Sequence, residues 1–277
     1  MSGSLEAALE LVRDWGAGDA AVAVIGADGI VASVGDPASL AEWASVTKLV
    51  TAYAVLRAVE RDTIAIDEPF GPAGATVRHL LAHASGLGPE GSAPISPPER
   101  TRIYSNVGYD LLGALLEERS GQPIATVLAN DVLGPLGMSG TRLIGRPSAG
   151  LRGPLDDLAR FGRELLRPSL TSLPTLAAAT TVAFPGLAGV LPGLGRFDPL
   201  DWGLGFELRD AKEPHWTGTR NSPATFGHFG ASGTFLWVDP VADRALACLT
   251  ERPFGPWALE AWPALSDAVL QAAAQVT

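Results

Sequence analysis

Residues 47–61 constrain this fold more than any other segment. Leu49, Val50, Tyr53, Val55, Leu56 and Val59 leave the predicted helix apolar nearly all round, and a helix without a polar face has to be enclosed. The chain must therefore supply covering layers on more than one side. With 277 residues, 47% of them hydrophobic, it has the material for such a core, in one domain or two closely packed lobes.

Those layers are legible on either side. Leu5, Ala8, Leu9, Leu11, Val12 and Trp15 recur at helical spacing and predict an amphipathic helix ending at Gly16. Apolar runs at 20–25 and 30–34, joined by Gly26-Ala27-Asp28-Gly29, predict a β-hairpin. From 67 to 200 the pattern is helical and loop-rich, with helices expected at 77–83, 107–119, 124–133 and 155–166. Strands return at 203–208, 233–238 and 244–249, and a helix at 257–276 is expected to bend at Pro263. Together these predict an α/β chain of the α+β type. Both ends (1–66 and 201–277) build an antiparallel sheet flanked by helices, and a helical lobe (67–200) is inserted.

The net charge of −10 argues against nucleic acid or an anionic membrane surface as partner. Met1-Ser2-Gly3-Ser4-Leu5-Glu6 has neither the basic start nor the unbroken apolar stretch of a secretory signal. Cys248 is the only cysteine, so no intrachain disulfide can form, and a cytoplasmic setting is expected. The expected partner is a small-molecule substrate; oligomeric state is left open.

Of 20 basic residues only Lys48 and Lys212 are lysines. Arginine cannot lose its proton, so a lysine kept against this bias marks a place where deprotonation matters. Lys212, beside Glu213, reads as an ordinary cation. Lys48, opening an apolar helix, does not. In Ala44-Ser45-Val46-Thr47-Lys48 the amine lies three residues past the serine on the same helix face, within reach of its hydroxyl. Burial would push that amine towards its neutral, basic form. Taken alone, the same spacing also describes an N-cap serine followed by a surface lysine.

Two further segments add chemistry. Tyr104-Ser105-Asn106 precedes a predicted helix, and offers a phenol and an amide able to orient a lysine or a carbonyl. Gly227-His228-Phe229-Gly230-Ala231-Ser232-Gly233 leads into an apolar strand, where glycines permit close approach of a ligand.

In this order the three segments resemble the penicillin-recognising serine hydrolases, and most closely class C β-lactamases, D-amino acid peptidases and their related esterases. Supporting stretches are 79–87, Asp157-Leu158-Ala159-Arg160-Phe161 and Trp237-Val238-Asp239-Pro240. The resemblance implies a β-lactamase/transpeptidase-like fold without metal or cofactor. It implies Ser45 as nucleophile, Lys48 with Tyr104 taking its proton, Tyr104 later returning a proton to the leaving group, and Asn106 holding Lys48 and substrate. The oxyanion would sit between the backbone N–H groups of Ser45 and Ala231, with His228, Phe229 and Gly230 binding substrate.

The chain departs from the β-lactamase pattern where a lysine and a hydroxyl residue normally stand; it has His228-Phe229. Neither is a permanent cation or a hydroxyl donor, so carboxylate recognition there is weakened. The stretch between 166 and 203 is short, which predicts a reduced pocket wall. These departures favour an esterase-like hydrolase of small esters or amides over a β-lactamase or D-amino acid peptidase. An idle ligand-binding homologue would not need a lysine in a buried helix.

Other motifs read as structure. His79 and His83 have metal-ligand spacing but no third ligand, and are expected to cap or pack beneath the site loop. Ser85 and Ser232 lie outside Gly-x-Ser-x-Gly. Asp156-Asp157 reads as a helix start, and Cys248 as an inert buried thiol.

Overall fold

The computed structural model describes residues 2–16, 18 and 20–275, the side chains of 2–4 excepted. Val276, the last residue of the expected terminal helix, lies outside the described residues.

A six-stranded antiparallel sheet forms the centre. Its strands are β1 (Ala21–Gly26), β2 (Gly29–Val34), β3 (Glu207–Leu208), β4 (Phe226–Phe229), β5 (Phe235–Asp239) and β6 (Arg244–Leu249), in the order β2-β1-β6-β5-β4-β3. The hairpin β1–β2 forms as expected from its turn, and β1 joins the C-terminal strands through β6, with Ala23 opposite Ala247. Both ends of the chain thus build one sheet.

The period-two alternation of the strands divides the interior. Val22, Val24, Phe235, Trp237, Leu246 and Cys248 face the terminal helices α1 (Ser2–Leu9) and α8 (Pro256–Ala274). Ala23, Ile25, Leu236, Val238, Ala245 and Ala247 face the opposite layer. That layer contains α2 (Thr47–Glu60) and α6 (Leu155–Leu166). Every residue of α2 from Thr47 to Leu56 is buried, which is the enclosure its apolar circumference demands. The helix is tied to α6 where Glu164 accepts from Tyr53 Oη (2.5 Å), Ser169 Oγ (2.6 Å) and the Ser169 and Leu170 N–H groups. A buried carboxylate needs such a full donor set.

Around α2 lie α3 (Val77–Leu81), α4 (Asn106–Ser120), α5 (Ile124–Leu128, continued by a π-helical turn Ala129–Leu133) and α7 (Leu173–Ala179). Two small sheets form where no strand is expected, all of their strands except Leu40–Glu42 coming from the stretch read as helix and loop. In one, Leu40–Glu42 and Arg142–Leu143 flank Leu151–Pro154. In the other, Arg102–Ile103 pairs parallel with Gly189–Leu191, which forms a hairpin with Gly195–Phe197. Strands of two to four residues leave no readable periodicity.

Two strand expectations shift. Of 203–208 only Glu207–Leu208 is strand, because Gly205 turns the chain at φ +104° against Ala52 of α2. Gly233, at φ +88°, belongs to the turn before β5. At the C-terminus α8 begins with Pro256 at its first turn and runs on through Pro263.

Candidate active site

Ser45, Lys48, Tyr104, Asn106 and the 228–231 segment converge although they come from three separate stretches of chain. Leu40–Glu42, held by Leu151–Pro154, delivers the chain to a one-turn 3₁₀ helix, Ala44–Val46, which runs directly into α2. Ala44 just before the serine has φ +43°, a left-handed conformation costing a non-glycine residue about 1–2 kcal/mol. Ser45 therefore stands at the tip of a sharp bend.

Lys48, one turn on, is fully buried. Its Nζ lies 3.3 Å from Ser45 Oγ, 2.7 Å from Asn106 Oδ1 and 2.9 Å from the Ser148 carbonyl oxygen. Burial lowers its pKa to about 7; Asp110 and Glu90 oppose the shift and Arg146 adds to it. A neutral amine has two N–H bonds and one lone pair. With Asn106 and Ser148 taking both N–H groups, the lone pair is left for Ser45.

Tyr104 Oη donates to Ser45 Oγ at 2.7 Å. Burial raises the phenol's pKa, only partly offset by that bond to Ser45, so Tyr104 keeps its proton at neutral pH. Its ring is packed by His83 (4.8 Å between centroids), His228 (5.8 Å) and Trp202 (6.2 Å), and Lys48 Nζ lies 4.7 Å from the ring centre. The backbone after it is pinned from below: Ser105 N–H donates to His83 Nδ1, Ser105 Oγ to the Gly88 carbonyl, and Asn106 N–H to the Pro89 carbonyl. Ser105 Oγ also caps α4 by accepting from Gly108 N–H. His83 thus supports the site loop. His79 completes a capping box with Thr76 and meets Glu99 at 2.8 Å. Among the described residues no cluster of three or more His, Cys, Asp or Glu could hold a metal ion.

The third stretch is β4 and the turn after it. His228 is buried with Nδ1 2.6 Å from the Phe229 carbonyl oxygen, which places the proton on Nδ1. Burial, and then the charge of Lys48, push its pKa down to about 3. Phe229 packs among Trp216, Phe254 and Trp262. Gly230 has no room for a side chain: a Cβ would lie 2.6 Å from both the Trp43 carbonyl oxygen and Thr234 Oγ1. Ser232 Oγ donates to the Glu42 carbonyl and Thr234 Oγ1 to that of Trp43. The turn bearing Ala231 is therefore stitched to the segment leading into Ser45. Its own backbone bonds run from Gly230 N–H to Thr234 and from Gly233 N–H to Gly230, leaving the Ala231 N–H out of the turn.

These groups line a cavity of about 280 Å³ completed by Leu191, Pro192, Gly193 and Phe254. The wall expected to be reduced is supplied by the 189–197 hairpin. Sequence reasoning missed this wall and also the ring behind Asn106: Glu90 accepts from Asn106 Nδ2 (2.8 Å), and Arg146 bridges Glu90 (3.0 Å) and Asp110. Ser148 acts through its main chain, which no side-chain pattern announces. Lys212 is corrected outright. It is buried 2.8 Å from Glu207, not a plain cation beside Glu213, and donates to the Asp201 and Leu208 carbonyls. Burial disfavours the Glu207 carboxylate, but His215 and Lys212 hold its pKa down to about 2.

A hydroxyl held between a phenol and a desolvated amine, beside a glycine-bounded strand, defines a serine hydrolase site. The family model Beta-lactamase matches residues 10–270, and the chain belongs to that family. It is 26% identical to esterase EstB of Burkholderia gladioli over 83% of this chain and 82% of the esterase. It is 25% identical to a putative D-alanyl-D-alanine carboxypeptidase of Escherichia coli O157:H7, over 57% of this chain and 47% of that protein. Among solved structures, a protein of Mycobacterium bovis described as a beta-lactamase (Mb2281c) is 51% identical and superposes with a TM-score of 0.94, covering 95% of this chain and 98% of that one. No described helix is long and apolar enough to cross a membrane.

Proposed function

We propose that the protein is a carboxylesterase-like serine hydrolase that forms an acyl-enzyme at Ser45 with small ester substrates. The observation that carries this reading is the Lys48 hydrogen-bond set, which leaves a neutral amine's lone pair facing Ser45 Oγ. As Oγ bonds to the ester carbonyl carbon, Lys48 takes its proton. The carbonyl oxygen becomes an oxyanion facing the N–H groups of Ser45 and Ala231. When the C–O bond breaks, Tyr104 gives its proton to the departing alkoxide and is restored by the proton on Lys48. Water then attacks the acyl carbon, losing a proton to Lys48; the acid leaves and Ser45 regains its proton. Asn106 holds the amine, and His228, Phe229 and Gly230 bound the substrate space.

The neutral His228 and the aromatic packing of Phe229 support an ester over a β-lactam. Neither supplies a charge for a carboxylate next to the scissile bond. β-Lactamase or D-amino acid peptidase activity is the second reading, favoured by the descriptions of the Mycobacterium bovis and Escherichia coli relatives. Parallel assays with p-nitrophenyl butyrate and nitrocefin decide between them. The expected result is nitrophenolate release, lost in Ser45→Ala, with nitrocefin turned over far more slowly. Preferred nitrocefin turnover reverses the assignment. Intact mass after fluorophosphonate treatment should show one adduct on the wild type and none on Ser45→Ala.

A further inference from the structure

A second cavity, of about 490 Å³, adjoins the first and shares Tyr104, Asn106 and Pro192 with it. The strands of the 189–197 hairpin line this second space, and its turn walls the first. Among the described residues no aspartate or glutamate lines either cavity, in a chain with 30 acidic residues and a net charge of −10. Glu90, which reaches Asn106, is paired with Arg146, a cation it shares with Asp110.

Two arginines face the second cavity. Arg102 is buried and consumed: its guanidinium donates to the carbonyls of Leu200, Ala82, Ala183 and Phe184. Arg196 sits opposite Val190 in the hairpin, is exposed, and has no ion-pair or hydrogen-bond partner for its guanidinium among the described residues. A planar fork of N–H donors pairs a carboxylate in bidentate fashion. Resting on the esterase reading, we propose that the second cavity receives an ester arm ending in a carboxylate, and that Arg196 is the specificity-determining residue that binds it. Tyr104 lines both cavities, whereas Ser45 and His228 line only the first and Arg196 only the second.

Two substrate pairs test this. One pair is p-nitrophenyl butyrate and mono-p-nitrophenyl glutarate, which differ by a carboxylate on the acyl arm. The other is phenyl acetate and 3-carboxyphenyl acetate, which differ on the leaving arm. In at least one pair the carboxylate ester should be preferred about tenfold in kcat/KM, mainly through KM, as one partly exposed charge-assisted contact allows. Arg196→Ala should abolish the preference and leave the neutral ester unchanged; Arg196→Lys should restore part of it. Raising ionic strength to 1 M should erode it, because the Debye length is then only about 3 Å. An unchanged preference ratio in Arg196→Ala, or no preference in either pair, overturns the proposal. Failure of the esterase reading looks different: no ester is cleaved and fluorophosphonate leaves Ser45 unmodified.

Discussion

The amide oxygen of Asn106 accepts a 2.7 Å hydrogen bond from Nζ of Lys48, fifty-eight positions earlier in the chain. A neutral acceptor orients the amine without adding charge that would keep it protonated. Asn106→Asp should change that balance, since a carboxylate at this distance raises an amine's pKa by about 1–3 units. The acidic limb of the kcat/KM profile should move upward by that amount, with activity at pH 7 falling by about five-fold to 500-fold. An unmoved profile would show that Lys48 is not the group titrating.

In the wild type the same limb should have its midpoint at about 7, with activity rising as Lys48 loses its proton. Lys48→Arg keeps charge and loses basicity, so kcat should fall about 10²–10⁴-fold, as for other removed catalytic bases. Stability carries the opposite sign from the usual lysine. The folded pKa is depressed, so the penalty for burying the charged amine is complete below about 7 and disappears above the unfolded value of 10.5. The Tm of Lys48→Met relative to wild type should therefore be higher at pH 6 than at pH 10, a comparison that calorimetry reads directly.

Tyr104→Phe removes the donor to Ser45 Oγ and leaves the ring among His83, His228 and Trp202. Its kcat should drop by about 10²–10³-fold, within the range for lost general-acid catalysis, while Tm changes little. Esters with better leaving groups, which need less protonation, should lose less. Equal loss across a leaving-group series would remove Tyr104 from the proton-donor role.

Gly230→Ala would press a methyl group against the Trp43 carbonyl and Thr234 Oγ1, separating the Ala231 turn from the approach to Ser45. The expected loss is about 10²–10³-fold in kcat, comparable to losing an oxyanion donor. Acylation by fluorophosphonate should slow in parallel. Destabilisation without a change in kcat would place the turn's role in folding only.

Much of this arrangement was legible because side chains carried it. Ser45, Lys48, Tyr104, Asn106 and His228 stood out through spacing, the scarcity of lysine and the apolar helix behind them. The β1–β2 hairpin announced itself through its turn. Backbone chemistry stayed silent: Ser148 contributes a carbonyl, and the pocket wall is a hairpin of three-residue strands among glycines and prolines. Lys212 was misread because its neighbour in sequence, Glu213, is not its partner in space; Glu207 is, five residues earlier across a turn.

Cys248 lies wholly inside β6 on the face covered by the terminal helices, and burial raises its thiol's pKa well above normal. A chain whose single thiol is inaccessible offers a silent background for thiol labelling. A cysteine placed at Val241, three-quarters exposed at the β5–β6 bend, would be the one maleimide-reactive position. The enzyme could then be tethered by the sheet end remote from Ser45, leaving both cavities open to substrate.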